Sequence, residues 1–322
     1  MRLLHLIGTI IQAVVLIALS ALVLGTGYGY IAASASEYAA PQQEGLEGQW
    51  LLVNGAPVHI IVAGPENGPI AVLMHGSDIE GALNFKANIK ALGLAGVRVI
   101  ALDFPGFGYS TRDPDLGYMV ADQARLVEQV LITLKASQVT LIGFQRGCAV
   151  ALEYASNQPQ NVKQIALISP LVYSSARPLV NWVASMPIMG RTLLWARLSG
   201  PLMTNARRSG FFDPSLVTTA YRDTILGTTH ITGTLAFQLL WMRDVREDII
   251  EALPTLAGLR IPTLILSGGA DHSLAAQDAE RLNQTLPNVK LVVMPDVGYY
   301  VHQEASADVN QALISFCLEG IR

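Results

Sequence analysis

Apolar positions fill the first two dozen residues with hardly a break, then recur along the rest of the chain as short runs separated by amphipathic stretches. From Leu3 to Leu24 the polar interruptions are His5, Thr9, Gln12 and Ser20. That is about the ~20 residues a helix needs to cross a bilayer. Arg2 is the only Lys or Arg before Lys86, so the positive-inside rule places the short N-terminus in the cytoplasm and the rest on the extracytoplasmic side. Ala33-Ser34-Ala35 would also suit a signal-peptide cleavage site, but the apolar run exceeds the ~7 to 15 residues of a signal h-region. A retained single-pass anchor over residues 1–35 is therefore expected, with a secreted product as the alternative. Residues 36–48, with Pro41, two Gln, three Glu and two Gly, read as a polar linker.

Beyond the linker, β-rich runs alternate with helical periodicity, the signature of a mainly parallel sheet with helices on both faces. Trp50 to Asn54 and Val58 to Ala63 predict a hairpin around Asn54-Gly55. Buried strands are predicted at Ile70 to Met74, Val97 to Leu102, Val139 to Ile142, Ile165 to Ser169, Thr263 to Leu266 and Lys290 to Met294. Leu126, Val127, Val130, Leu131 and Leu134 recur at helical spacing, as do Ala276, Ala279, Leu282 and Leu286. About ninety residues separate Ser169 from Thr263, far more than the ~10 to 12 of a simple crossover. No internal repeat, low-complexity tract or Gly-rich phosphate loop is present.

Composition narrows the chemistry. A chain of 322 residues, 51% hydrophobic and 14% charged, is long enough for one large α/β domain with an insertion. A net charge of -4 gives no reason to expect nucleic acid. With only Cys148 and Cys317, neither a disulfide framework nor a Cys-rich metal site is available. Both are read as inert core thiols, Cys317 on the apolar face of Val309, Leu313 and Phe316. No H-x-x-x-H, H-x-H or carboxylate cluster suggests a metal, and no cofactor is implied.

Four motifs in order carry a family resemblance. His75-Gly76 closes the run Ile70 to Met74; Asp103-Phe104-Pro105-Gly106-Phe107-Gly108-Tyr109-Ser110 follows the next strand. Gly143-Phe144-Gln145-Arg146-Gly147 stands between a strand and a helix, and Asp271 lies just past Thr263 to Gly269. The chain after its N-terminal segment resembles the α/β-hydrolase fold superfamily with a helical cap. The resemblance implies a mostly parallel eight-stranded sheet flanked by helices, with the core over residues 49–171 and 259–322 and the cap inserted at 172–258.

The resemblance also assigns roles, and here the chain departs from the family. The elbow G-x-S-x-G has Gln145 where the nucleophilic serine would stand, and an amide cannot be deprotonated to attack carbon. Tyr299, in Gly298-Tyr299-Tyr300-Val301-His302, takes the position of the catalytic histidine; a phenol with an ordinary pKa of ~10 is a poor base near neutral pH. Asp271 holds the acid position and is expected to accept a hydrogen bond from the Tyr299 hydroxyl or from solvent. His302 and His272 are minor candidates for a replacement base, while His75 is read as structural and His59 and His230 have no partner evident in sequence. The oxyanion hole, formed by backbone N–H groups of Arg146 and of the His75-Gly76-Ser77 loop, would survive the loss of the serine. Gln145 either hydrogen-bonds a ligand there or plugs the pocket.

Two functions follow. One is a membrane-anchored, non-hydrolytic protein that binds a small apolar, ester-like or lipid-like ligand, or a partner. The other is a working hydrolase or lyase with a non-standard constellation. The cap carries Trp182, Trp195 and Trp241 with Met186, Met189, Met203 and Met242, which line a ligand pocket or simply join cap to core. Arg177 to Arg222 holds six arginines and the single acid Asp213, predicting that Arg191, Arg197, Arg207 and Arg208 face an anionic membrane surface. The oligomeric state is open.

Overall fold

A computed structural model describes residues 2–36, 48–173, 182–183, 185–198, 200–244 and 253–319. The linker expected at 36–48 lies, apart from its two end residues, outside the described residues, as does Arg177.

Helix α1 (Arg2–Ser36) precedes the sheet. Its stretch Ile10–Ser36 contains an 18-residue window with a mean hydropathy of 2.3 and is long and apolar enough to cross a bilayer, a property that a membrane span shares with a signal sequence. The eight strands are β1 (Gln49–Val53), β2 (Ala56–Ala63), β3 (Ile70–Met74), β4 (Arg98–Leu102), β5 (Val139–Phe144), β6 (Val162–Ile168), β7 (Thr263–Gly268) and β8 (Val289–Met294). They form one sheet in the order β1-β2-β4-β3-β5-β6-β7-β8. Only β2 runs antiparallel to its neighbours β1 and β4; the pairings from β4 through β8 are parallel.

Alternation along each strand divides the core into two layers, because successive side chains leave opposite faces of a strand. Val72, Met74, Ile100, Leu102, Leu141, Ile165 and Leu167 point to one side, where α3 (Val120–Thr133), α4 (Arg146–Asn157) and the helix Leu274–Thr285 pack. Ala71, Leu73, Val99, Ala101, Ile142, Ala166 and Ile168 point to the other, beneath α2 (Lys86–Leu94) and the last helix Ser306–Glu319. Burial of each large aliphatic or aromatic side chain contributes about 1.5–3 kcal/mol. Cys148 and Cys317 belong to these layers and are buried.

The chain runs outward from β3 to β4 and then returns to the other side of β3 to form β5. Ligand sites in open α/β sheets lie beyond the strand ends at such a switch point. Met74 and Gly143 are register partners, so the loops leaving β3 and β5 meet there. Between β6 and β7 the described residues hold α5 (Pro187–Leu198), α6 (Gly200–Arg208), α7 (Thr219–Thr229), α8 (Thr234–Asp244) and α9 (Leu253–Leu256). Phe237 and Trp241 of α8 meet Phe107 edge-on at ring separations of 6.0 Å, which sets this helix over the loop after β4.

Candidate active site

At the end of β5 the backbone turns through Gln145 at φ 55° and ψ -120°, and α4 starts at the next residue. A side chain at such a φ costs on the order of 1–3 kcal/mol and persists only where the surroundings over-determine it. Here they do. The Gln145 N–H donates to the Ile168 carbonyl (3.0 Å), and its own carbonyl accepts from Cys148 and Leu171 N–H groups (both 3.1 Å). A Cβ on Gly147 would stand 2.0 Å from the Met74 carbonyl oxygen, so the first turn of α4 presses against β3 where only glycine fits. The elbow is thus built by backbone contacts, without help from the side chain at its tip.

The Gln145 side chain folds back across the loop after β3. Its Oε1 accepts a short hydrogen bond from the Ser77 N–H. The amide lies against Gly76, where an added Cβ would come within 2.1 Å of Oε1. The backbone donor expected to hold a substrate oxyanion therefore already holds the carbonyl oxygen of this glutamine. Gln145, expected either to contact a ligand or to plug the pocket, thus engages the Ser77 donor itself.

Tyr299 packs against Phe144, Tyr300 and the Gln145 amide. Burial, with Asp78 nearby, raises its phenol well above the usual range, and the Gln145 side chain opposes this only in part. It stays a neutral phenol. Asp271 is buried, and its Oδ1 accepts from the Ser273 N–H at 2.8 Å, while Oδ2 has no partner among the described residues. The Tyr299 hydroxyl, one of the two partners expected for Asp271, faces Gln145, and the aspartate accepts from its own loop.

The histidines are placed elsewhere. His302 is fully buried against Phe144 and Phe85; its Nε2 bonds the Asn84 Oδ1 at 2.7 Å, and burial pushes its pKa down to about 3. A ring engaged by the Asn84 amide and of so low a basicity is poorly matched to a general base near neutral pH. His272 is exposed to solvent. His75 accepts from the Phe104 N–H at Nε2 (2.9 Å) and donates from Nδ1 to the Gly76 carbonyl (2.7 Å), the loop-fixing role expected of it, and burial lowers its pKa. His59, without a partner in sequence terms, pairs with Asp103 at 2.7 Å. Asp103 also accepts the N–H groups of Ala82 (2.6 Å) and Tyr109 (2.9 Å), so the acid of the D-x-P-G-x-G-x-S loop serves to lock that loop.

A buried ionic cluster unforeseen in the sequence lies on the cap side of this site. Arg207 of α6 reaches Glu80 (2.6 Å), Asp78 (3.1 Å) and the Tyr300 hydroxyl (2.8 Å). This corrects the expectation that Arg207 faces a membrane; it is buried and ties the cap to the loop after Ser77. Two carboxylates share one guanidinium, and burial raises the Glu80 pKa to about 7. Asn84 donates to Asp78 (3.1 Å) and Glu80 (3.0 Å) and links the cluster to His302. Asp78 and Glu80 stand directly after His75-Gly76-Ser77, but 127 residues separate Glu80 from Arg207, and no local pattern pairs them. Cys148 directs its Sγ to the Ile168 carbonyl at 3.5 Å, and burial pushes the thiol up, so it offers no thiolate. Among the described residues no three His, Cys, Asp or Glu side chains converge as metal ligands.

A family profile described as the alpha/beta hydrolase fold matches residues 72–305. The chain belongs to the α/β-hydrolase family. It is similar to the AB hydrolase superfamily protein YfhM of Bacillus subtilis, with 27% identity over 287 residues, covering 85% of this chain and 98% of that protein. A 2-hydroxy-6-oxononadienedioate/2-hydroxy-6-oxononatrienedioate hydrolase of Burkholderia vietnamiensis is 26% identical over 258 residues, 76% of this chain and 85% of its own. The crystal structure of a point mutant of the meta-cleavage product hydrolase CumD superposes with a TM-score of 0.72 at 21% identity, covering 84% of this chain and 97% of that one. This α/β hydrolase therefore shares its fold with enzymes, while its elbow presents an amide.

Proposed function

We propose that this protein is a membrane-anchored α/β-hydrolase homologue that no longer performs acyl transfer, its former active site being closed by Gln145, and that it acts by binding a small apolar or lipid-like ligand, or a partner, through its cap. The observation that carries this reading is the Gln145 Oε1 on the Ser77 N–H. A serine hydrolase needs an alkoxide at the elbow, a base beside it and an empty hole to receive the oxyanion. Here the elbow bears an amide, the neighbouring group is a neutral, half-buried phenol, and the Ser77 donor of the oxyanion hole is already taken by Gln145. Retention of the anchor is supported by the packing of α1 on α5, where Thr192 donates to the Thr26 carbonyl at 2.9 Å. The single basic residue before the apolar run favours an extracytoplasmic globular part.

A second reading, a working hydrolase of unusual constellation, is favoured by the hydrolase relatives and by Asp271 Oδ2, a buried carboxylate oxygen left without a partner. The two separate in one experiment on full-length protein in detergent, using a fluorophosphonate probe and p-nitrophenyl esters. The proposal expects no labelled residue and turnover no faster than the ~10³ to 10⁴ over water that a serine hydrolase keeps without its triad. Turnover in the ordinary enzyme range of about 1–10³ s⁻¹, abolished by Asp271→Asn, would establish the second reading and overturn the first.

A further inference from the structure

The cap helix that receives α1 carries apolar side chains on faces that neither the core nor α1 covers. Leu3 to Leu24, at ~1.5 Å per residue, spans about 33 Å, close to the ~30 Å hydrocarbon core of a bilayer. With Leu3 to Leu24 as the span, the turns that follow, from Thr26 to Ser34, lie at headgroup depth, with Tyr28 and Tyr30 where interfacial aromatics collect. It is these turns that α5 grips. Thr192 donates to the Thr26 carbonyl (2.9 Å), the Arg191 guanidinium lies 5.4 Å from the Tyr30 ring centre, and a Cβ on Gly29 would meet the Thr192 methyl at 2.2 Å. The contact is close and fixes α5 at the depth of the α1 C-terminal end.

Helical spacing sorts the faces of α5. Leu194 points to the cap interior and is buried. Leu193 and Arg197, four residues apart, share an outer face and are both exposed. Ile188 stands one turn before Thr192 and is 54% exposed; on α6, Met203 and Arg207 turn inward while Leu202 is 59% exposed. Trp182, just before α5, is likewise exposed. Large apolar side chains flanked by arginine, continuous with a bilayer-spanning helix, suit the boundary between acyl chains and anionic headgroups.

We infer that the cap itself is a membrane-inserting element: Trp182, Ile188, Leu193 and Leu202 enter the headgroup and acyl boundary of an anionic bilayer, so that the cap rests on the membrane instead of standing off it on a flexible leash. This rests on the reading that α1 is a retained span. The occupant of the surface is the lipid in which α1 is embedded, and Arg197 supplies the matching charge.

Site-directed spin labelling of the full chain tests it, in vesicles of phosphatidylcholine and phosphatidylglycerol. Cys148 and Cys317 are buried, so single cysteines at exposed sites take the label. Labels on Ile188→Cys, Leu193→Cys and Leu202→Cys are expected to favour oxygen over a water-soluble nickel chelate several-fold more than labels on Leu52→Cys and Leu94→Cys, exposed positions of the core. Leu16→Cys reports on the anchor. If the three cap sites match Leu52 and Leu94 while Leu16 remains lipid-like, the inference falls and the anchor stands; if Leu16 is also water-accessible, both fall.

Discussion

Replacing Gln145 by serine and Tyr299 by histidine rebuilds what the elbow lacks, and the order in which activity returns is set by the geometry. Gln145→Ser alone withdraws Oε1 from the Ser77 N–H, at a net cost of about 0.5–1.5 kcal/mol for the lost hydrogen bond. It frees an oxyanion donor of a kind whose removal costs enzymes about 10² to 10³ in turnover. The new hydroxyl still has no base, because burial holds the Tyr299 phenol neutral. Tyr299→His places an imidazole on the loop beside Asp271, whose Oδ2 is free to accept its Nδ1–H. A positioned general base contributes about 10² to 10⁴. The double variant is therefore expected to hydrolyse p-nitrophenyl butyrate about 10²- to 10⁴-fold faster than Gln145→Ser, to take a fluorophosphonate label, and to melt only slightly below the wild type. Tyr299→His alone should gain nothing. An equal gain from either single variant would refute the reasoning, and so would a folded double variant with no gain, since the first implies an unseen base and the second that Gln145 is not the block.

Arg207→Met leaves the half-buried Asp78 and the buried Glu80 without their cation, and thermal unfolding should show a loss of about 3 kcal/mol above pH 7 that shrinks on acidification as Glu80 takes up a proton. Glu80 has a folded-state pKa raised to about 7 from 4.5, so between those values the folded chain holds a proton that the unfolded chain has released. Its contribution to stability is therefore greatest below about pH 4.5 and is lost as pH rises through 7, with a ceiling of about 3 kcal/mol. Denaturant titrations across that window on wild type and Glu80→Gln should differ in slope, the variant being flatter.

The strands were legible because a buried parallel strand is a continuous apolar run bounded by turn residues, and all eight lie within a few residues of where the runs place them. The elbow was legible too: Gly143 and Gly147 bracket a turn that closes on β3 whatever stands between them. What the sequence did not disclose is pairing across distance. His59 finds Asp103 over 44 residues and Glu80 finds Arg207 over 127, through contacts that no periodicity encodes. The arginine-rich cap read as a single basic face, but the helix turns Arg207 inward and Arg208 outward, and only packing decides which neighbour is buried. The role of Gln145 was undecided for a related reason, since a flexible side chain occupies whichever donor the fold brings within reach.

The central claim, that this protein fills its own oxyanion hole, is most directly tested by hydrogen exchange at the Ser77 amide in wild type and in Gln145→Gly, a substitution suited to the positive φ of the elbow. The account expects a protected amide in the wild type and exchange about 2- to 12-fold faster in the variant, the factor that about 0.5–1.5 kcal/mol of lost hydrogen bonding produces. Equal exchange in the two proteins would mean that Gln145 does not occupy the hole, and the case for a closed site would fail with it.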